Sequence, residues 1–134
     1  MVATYQLRTD GNRAIDITDE VAAAVADSGV HEGIAVVALP HTTASLGIIS
    51  FPDPLGLIDV MDEVNRLIPT RIDFKHQHDT PQDAAGHIKS TLFGTSLSLI
   101  ITGGALLLGH SQKVYFMEHD GPRNRQFHVQ IVGR

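Results

Sequence analysis

The chain has no cysteine and no tryptophan, and only two tyrosines and five phenylalanines among its 134 residues. The lack of cysteine excludes disulfides, thiolate catalysis and Cys-type zinc sites, so metal chemistry would fall to histidine. Positive charge is also scarce. Ten Lys and Arg stand against fifteen Asp and Glu, a formal net charge of −5, and the basic residues are scattered until Arg123, Arg125 and Arg134. A nucleic-acid partner needs clustered Lys and Arg and is not expected. No apolar run reaches the length of a membrane span, and the opening V-A-T-Y-Q-L-R-T-D alternates like a strand and lacks the plan of a signal peptide. No membrane partner is expected, and the reading is a cytoplasmic protein. There is no G-x-S-x-G elbow and no glycine-rich phosphate loop opening a helix.

Histidine is abundant by contrast, with eight in the chain. The densest chemistry lies in P-H-T-T-A-S-L-G-I-I-S-F-P-D-P-L-G-L-I-D, residues 40 to 59. An apolar run from Ile34 to Leu39, continuous enough for a strand covered on both faces, delivers His41, Thr42 and Thr43 at its end. Asp53 before Pro54 marks the start of a helix, as an N-cap carboxylate followed by a residue with no donor to waste.

A single domain over residues 1–134 accounts for the pattern. Val2 to Arg8 alternates as a strand, Ala14 to Ile17 is a short extended piece, and Thr18 caps a helix to about Ala26. Ala44 to Ile49 is a strand, and Pro54 to Ile68 is a helix with Leu57, Met61, Val64 and Ile68 on one face. Thr70 to Gln82 is a polar loop of the length that more often serves function. A third helix runs from about Asp83, as possible cap, to Phe93, with Ala84, Ile88 and Leu92 on its packed face. Gly103-Gly104 joins the strands Leu97 to Thr102 and Ala105 to Leu108 in a two-residue hairpin. Val114 to Glu118 and Phe127 to Val132 are expected to pair around the turn at residues 119 to 122, which makes the last third an antiparallel meander. The fold class is α+β, a largely antiparallel mixed sheet with about three packed helices.

Three constellations carry chemistry. His41, the loop pair His76 and His78, and His87 form a histidine set able to hold a Zn²⁺-type ion with an open position, although their spacing lacks the H-E-x-x-H pattern. The alternative is that His41 bonds turn backbone while the others are solvated or packed. Lys89, Arg123 and Arg125, with Thr42, Thr43 and Ser90, suit an anionic ligand; the alternative is solvated surface charge. Glu118, at a strand end with Gln112 ahead of that strand, offers a carboxylate to orient an imidazole or take a proton; the alternative is a rim charge.

P-H-T-T-A-S-L (40–46), D-P (53–54), Asp59, F-K-H (74–76), H-I-K-S-T-L-F-G-T-S (87–96), L-G (108–109), Gln112 and E-H-D-G-P-R-N-R (118–125) together resemble the YjbQ-like family, also called secondary thiamine-phosphate synthases. The resemblance runs in order over nearly the whole chain. It implies a compact α+β domain assembled as a homotrimer, polar sites that sometimes hold a divalent metal such as Zn or Mg, and a small phosphorylated metabolite as partner. The implied activity joins a pyrimidine pyrophosphate to a thiazole phosphate with release of pyrophosphate. Carried over by position, the family's histidines fall on His41, His76 and His87, its lysine on Lys89, its acid on Glu118 and its glutamine on Gln112, while His78 matches no family histidine. Two runs depart from the family: Ile49-Ser50-Phe51 replaces an N-E-N-like run, and His110-Ser111-Gln112 replaces a T-W-Q run. Loss of an acid and an indole favours a changed ligand or a non-catalytic binding module; metal-assisted phosphate-ester hydrolysis is a further alternative at the same site.

Overall fold

The period-two alternation of the first strand survives intact in the computed structural model, which describes residues 2–50 and 53–134. β1 (Val2–Arg8) alternates exposed and half-buried positions, with Tyr5 stacked on Phe127 at a ring-centroid distance of 5.2 Å. The further elements are β2 (Ala14–Asp16), α1 (Thr18–Ser28), β3 (Gly33–Ala38), β4 (Ala44–Ser50), α2 (Pro54–Leu67), α3 (Pro81–Phe93), β5 (Ser96–Thr102), β6 (Ala105–Leu106), β7 (Gln112–Glu118) and β8 (Asn124–Gly133). Three helices and antiparallel strands make this the expected α+β fold.

The strands divide into a five-stranded sheet, β1-β8-β3-β5-β6, and a three-stranded sheet, β2-β7-β4. That division overturns the meander expected for the last third. The β5–β6 hairpin is present, with Gly103 and Gly104 at φ 59° and 78°, the positive values that a tight primed turn needs. β7 and β8, however, do not pair with each other: β7 lies between β2 and β4, and β8 between β1 and β3. The turn at 119–122 therefore carries the chain from one sheet to the other.

One core lies between the sheets. Val114 and Phe116 of β7 and Leu46 of β4 meet Ala35 and Val37 of β3, Leu99 and Ile101 of β5, and Phe127 and Val129 of β8, and α1 closes the cluster with Val21, Ala24 and Val25. The other face of the small sheet turns Met117 and Ile49 toward Met61 and Val64 of α2. β3 is covered on one face only. Ile34 is 51 % exposed, and its neighbours in register, Ile100 and Val132, are 57 % and 65 % exposed. The apolar run thus reflects a row of side chains on the open sheet face rather than a strand buried on both sides.

Helix starts follow local chemistry closely. Asp53 accepts a hydrogen bond from the Leu55 N–H at 2.9 Å with Pro54 in the first turn, as its sequence indicates. At α1 the capping acceptor is Asp16, which takes the Thr18 N–H at 2.9 Å, while Thr18 turns its hydroxyl to the Val114 N–H of β7. At α3 the cap is Thr80, whose hydroxyl accepts from the Asp83 N–H at 3.1 Å, and Pro81 opens the helix two residues earlier than expected. The packed face of α3 is also different. Ala84, Ala85, Gly86, Lys89 and Ser90 are buried, whereas Ile88 and Leu92 are 38 % and 65 % exposed.

Candidate functional site

Starting α3 at Pro81 changes which side chains meet. Asp83 and His87 stand four residues apart on one helix face, and the loop before the helix folds back to bring His76 beside them. His87 Nε2 lies 3.1 Å from Asp83 Oδ2, and His76 Nε2 lies 3.5 Å from the same oxygen. The three donor atoms fall within 4.8 Å of one another. A tetrahedral ion with bonds of about 2.0–2.1 Å has donor–donor edges of roughly 3.3–3.4 Å. The residues present therefore fit a divalent cation, with two imidazoles and one carboxylate as ligands. The His76 ring meets the His87 and His78 rings edge-on, at 5.3 and 5.7 Å, but His78 contributes no donor to the group.

The hydrogen bonds of His87 sharpen this assignment. Its Nδ1 lies 3.1 Å from the Thr42 carbonyl oxygen, which can only accept, so Nδ1 carries the hydrogen. A neutral ring then presents a bare Nε2 lone pair to Asp83 Oδ2, which is an acceptor too when ionised. Two acceptors at 3.1 Å need a proton or a cation between them. Asp83 is 11 % exposed at its side chain, while His76 and His87 are 46 % and 38 % exposed, so the group is backed by protein and open on its outer side.

His87 is also the wall between two open grooves. One, about 540 Å³, is lined by Arg71, Phe74, Lys75, His76, His87 and Ile88 among others, with the Arg71 guanidinium 4.8 Å from the Phe74 ring centre. The other, about 450 Å³, is lined by His41, Thr42, His87, Ser90, Thr91 and Thr95 among others and is rich in hydroxyls. His87 thus lines both grooves.

His41 belongs to the second groove and not to the donor group, a correction to the expected ligand set of His41, His76 and His87. Its Nε2 accepts the Gln126 N–H at 3.0 Å, which occupies the lone pair a metal would need and leaves Nδ1 to carry hydrogen. Burial first, and then the nearby Arg125 charge, holds His41 below the ordinary histidine range. Its Nδ1 is then a donor, and the member of the donor group that the sequence does not flag is Asp83. The signal was Thr80-Pro81 as cap and first helical residue, which places Asp83 in the first turn and His87 one turn on.

The groups expected to bind or act on an anion are placed elsewhere. Glu118 is fully buried, and its two oxygens accept from the Thr9 hydroxyl at 2.7 Å, Arg125 Nε at 2.8 Å, a terminal Arg125 nitrogen, and the N–H groups of His119 and Asp120 at 3.0 and 3.2 Å. Burial pushes its carboxyl up, but the hydrogen bonds from Arg125, Thr9 and Asp120 outweigh this and hold it below the ordinary glutamate value. Arg125 is buried with it and donates to the Thr43 hydroxyl at 2.8 Å, so neither Arg125 nor the Thr43 side chain is presented to a ligand. Arg123 is tied to Asp120 at 2.8 Å, which raises its pKa.

Lys89 is 1 % exposed and donates to Asn65 of α2 at 2.7 Å; burial lowers its pKa. Gln112 stands at the far end of β7 from Glu118, about 20 Å away along the strand, with its side-chain oxygen on the Gly109 N–H. Ser50 is its partner in register, so the ends of the two departing runs converge there, opposite the His87 end of the small sheet; Phe51 lies outside the described residues. Thr42 and Ser90 do line the second groove.

Gly86 allows α3 to lie this close to the strand end. A Cβ built there would stand 3.2 Å from both the His119 carbonyl oxygen and the Thr43 Cβ. Gly86→Ala is expected to destabilise by about 1–2 kcal/mol through overpacking, despite alanine's better helix propensity of about 1 kcal/mol. Urea denaturation checks the sign, and a gain in stability would show that these neighbours yield.

Two antiparallel sheets packed with three helices, displaying a His-Asp-His donor group between two grooves, define the protein as a small α+β domain with a candidate metal centre. The chain belongs to the family described as UPF0047 protein YjbQ-like, which it matches over residues 3–134. It is 40 % identical over 134 residues to the UPF0047 protein MJ1081 of Methanocaldococcus jannaschii, covering 99 % of this chain and 95 % of that one. It is 35 % identical over 136 residues to the UPF0047 protein YugU of Bacillus subtilis, covering 99 % of this chain and all of that one. Among solved structures, a yjbq/upf0047 family protein from Clostridium acetobutylicum superposes with a TM-score of 0.92 at 40 % identity, covering 97 % of this chain and 99 % of the other. No helix among the described residues is long and apolar enough to cross a membrane.

Proposed function

We propose that the protein is a divalent-metal-dependent, homotrimeric, cytoplasmic transferase of thiamine-phosphate synthase type, with the ion held by His76, Asp83 and His87. The observation that supports this reading best is the His87 ring, donating through Nδ1 to the Thr42 carbonyl while Nε2 faces an acidic oxygen at 3.1 Å. The ion would supply positive charge beside a departing phosphate, where charge grows on the leaving oxygens.

The chain's own residues provide the rest. Phe74 with Arg71 offers a face for a planar ring, and Lys75 brings a cation to the same groove. His41 Nδ1–H, Thr42 and Ser90 line the other groove with donors suited to a phosphoryl group. Grooves on both sides of one imidazole suit a two-substrate reaction: the carbon–oxygen bond to pyrophosphate breaks as the thiazole nitrogen bonds to the same carbon.

A non-catalytic module that binds a metal or a phosphorylated metabolite is the second reading. It is favoured by the withdrawal of Glu118, Lys89 and Arg125 into the protein, which leaves the grooves without the acid and two cations expected to serve them.

Metal content and turnover separate these readings. Purified protein from Zn²⁺-supplemented medium is expected to carry one ion per chain, lost in Asp83→Ala and His87→Ala and kept in His41→Ala. An ion-free wild type would sink the metal assignment, and retention in Asp83→Ala would move the site elsewhere. Coupling of the pyrimidine pyrophosphate to the thiazole phosphate, abolished in His87→Ala, supports the transferase; bound ion without turnover supports the module.

A further inference from the structure

We propose that the buried Glu118–Arg125 pair is a positioning device for the cation site, acting through the Thr42 carbonyl to hold His87 in the tautomer that turns a bare Nε2 toward Asp83 and His76. The proposal rests on reading those three residues as a cation site. Its starting point is how firmly residues 41 to 43 are fixed. The His41 ring is held by the Gln126 N–H at 3.0 Å. Thr43 is held by one Arg125 nitrogen, which reaches its hydroxyl at 2.8 Å and its carbonyl at 3.3 Å, and by the His119 N–H on that same carbonyl at 3.1 Å. Between these two fixed residues stands exposed Thr42, and its carbonyl meets His87 Nδ1 at 3.1 Å.

Glu118 stands behind this clamp. It orients the Arg125 fork through both carboxylate oxygens and is itself held by the Thr9 hydroxyl and by the N–H groups of His119 and Asp120. The fork matters more than the charge, because a lysine ammonium cannot bond Glu118 and Thr43 in one fixed plane. From the other side, Gly86 lets α3 lie against Thr43, so the distance between helix and strand end is set on both faces. A carbonyl held in this place accepts only from Nδ1–H. The other tautomer would put two acceptors face to face, and Nε2–H would then occupy the direction the ion needs. Outer partners of this kind commonly contribute about 10–100-fold to metal affinity.

The test uses the full chain and Zn²⁺ as the probe. Zn²⁺ affinity is measured by competition with a chelator, and the His87 tautomer from its ring ¹⁵N shifts in an Asp83→Ala background, where no carboxylate faces Nε2 and the Thr42 carbonyl alone selects the tautomer. With residues 41 to 43 otherwise unaltered, that background is expected to show a protonated Nδ1 and an unprotonated Nε2. Arg125→Lys, which keeps the charge and loses the fork, and Thr43→Val, which removes one acceptor, are expected to show mixed tautomers and affinity weakened by about 10–100-fold. Retention of the Nδ1–H tautomer, with affinity within about twofold, in both variants overturns the proposal and leaves the pair a purely structural one. Should Arg125→Lys fail to fold by circular dichroism, Thr43→Val alone decides. A wild type that takes up no Zn²⁺ overturns the cation reading, and the tautomer measurement then judges the positioning role alone.

Discussion

Glu118→Ala is expected to lower the stability of this protein by about 3–5 kcal/mol, the usual cost of removing one partner from a buried ion pair. The magnitude follows from what the substitution leaves behind. Arg125 is 6 % exposed, and Glu118 is the one acid it pairs with among the described residues. Without the carboxylate, a guanidinium stays buried with only Thr43 to receive it, and the N–H groups of His119 and Asp120 and the Thr9 hydroxyl lose an acceptor as well. His119 and Asp120 belong to the turn that carries the chain from the small sheet to the large one, and Thr9 follows β1, so the damage is not confined to one side chain. Urea unfolding of Glu118→Leu, Arg125→Met and Glu118→Leu/Arg125→Met measures the coupling, with Glu118→Ala alongside. The double variant is expected to be less destabilised than Glu118→Ala, because it leaves no unpaired charge. A Glu118→Ala loss below about 1 kcal/mol would mean that solvent reaches the guanidinium and that the pair holds nothing in place.

The same residue shows where a sequence stops being readable. Glu118 was legible as an acid at a strand end, and a strand does end there; its burial was not, because that depends on Thr9 and Arg125 arriving from β1 and β8. Periodicity is local, and it located β1, the Gly103-Gly104 hairpin and the capped start of α2. Pairing is not local. β7 and β8 are joined by a short turn that looks like a hairpin, but the hydrophobic pattern of β7 serves two neighbours in another sheet, and nothing in its own residues says which. The candidate site divides in the same way. His76 and His87 are visible as histidines around one loop, whereas Asp83 has the residue type of a cap, and only the true start of α3 at Pro81 places it inside the first turn. His41 qualifies as a ligand by residue type alone, and only the fold shows that its Nε2 lone pair goes to the Gln126 N–H.

The second large effect is the response to acid, and it centres on His119, a residue for which the sequence suggested no role. It is fully buried at the start of the sheet-crossing turn, with Nε2 on the Ser45 hydroxyl at 2.8 Å and no partner for Nδ1 among the described residues. Burial first, and then the Lys89 charge, lowers its pKa from 6.5 to about 4. Because the folded value lies below the unfolded one, the unfolded chain takes up the proton first as pH falls. The stabilisation from keeping this ring neutral is complete above pH 6.5 and is lost between there and about pH 4. At about 1.4 kcal/mol per unit, the shift corresponds to about 3 kcal/mol over that window. His41, also lowered, adds to the slope in the same direction. Glu118 contributes in a separate range, since its depressed pKa makes its stabilisation fade only as pH falls below the ordinary glutamate value of 4.5. Urea unfolding at a series of pH values, with chelator present so that metal release does not enter, is expected to show stability falling from pH 6.5 downward before the carboxylates begin to titrate. His119→Gln, which can still bond Ser45 but takes up no proton, is expected to flatten that first slope whatever it does to stability at neutral pH. An unchanged slope in this variant would place the acid sensitivity in other groups and show that the His119 ring is hydrated and charges freely in the folded protein.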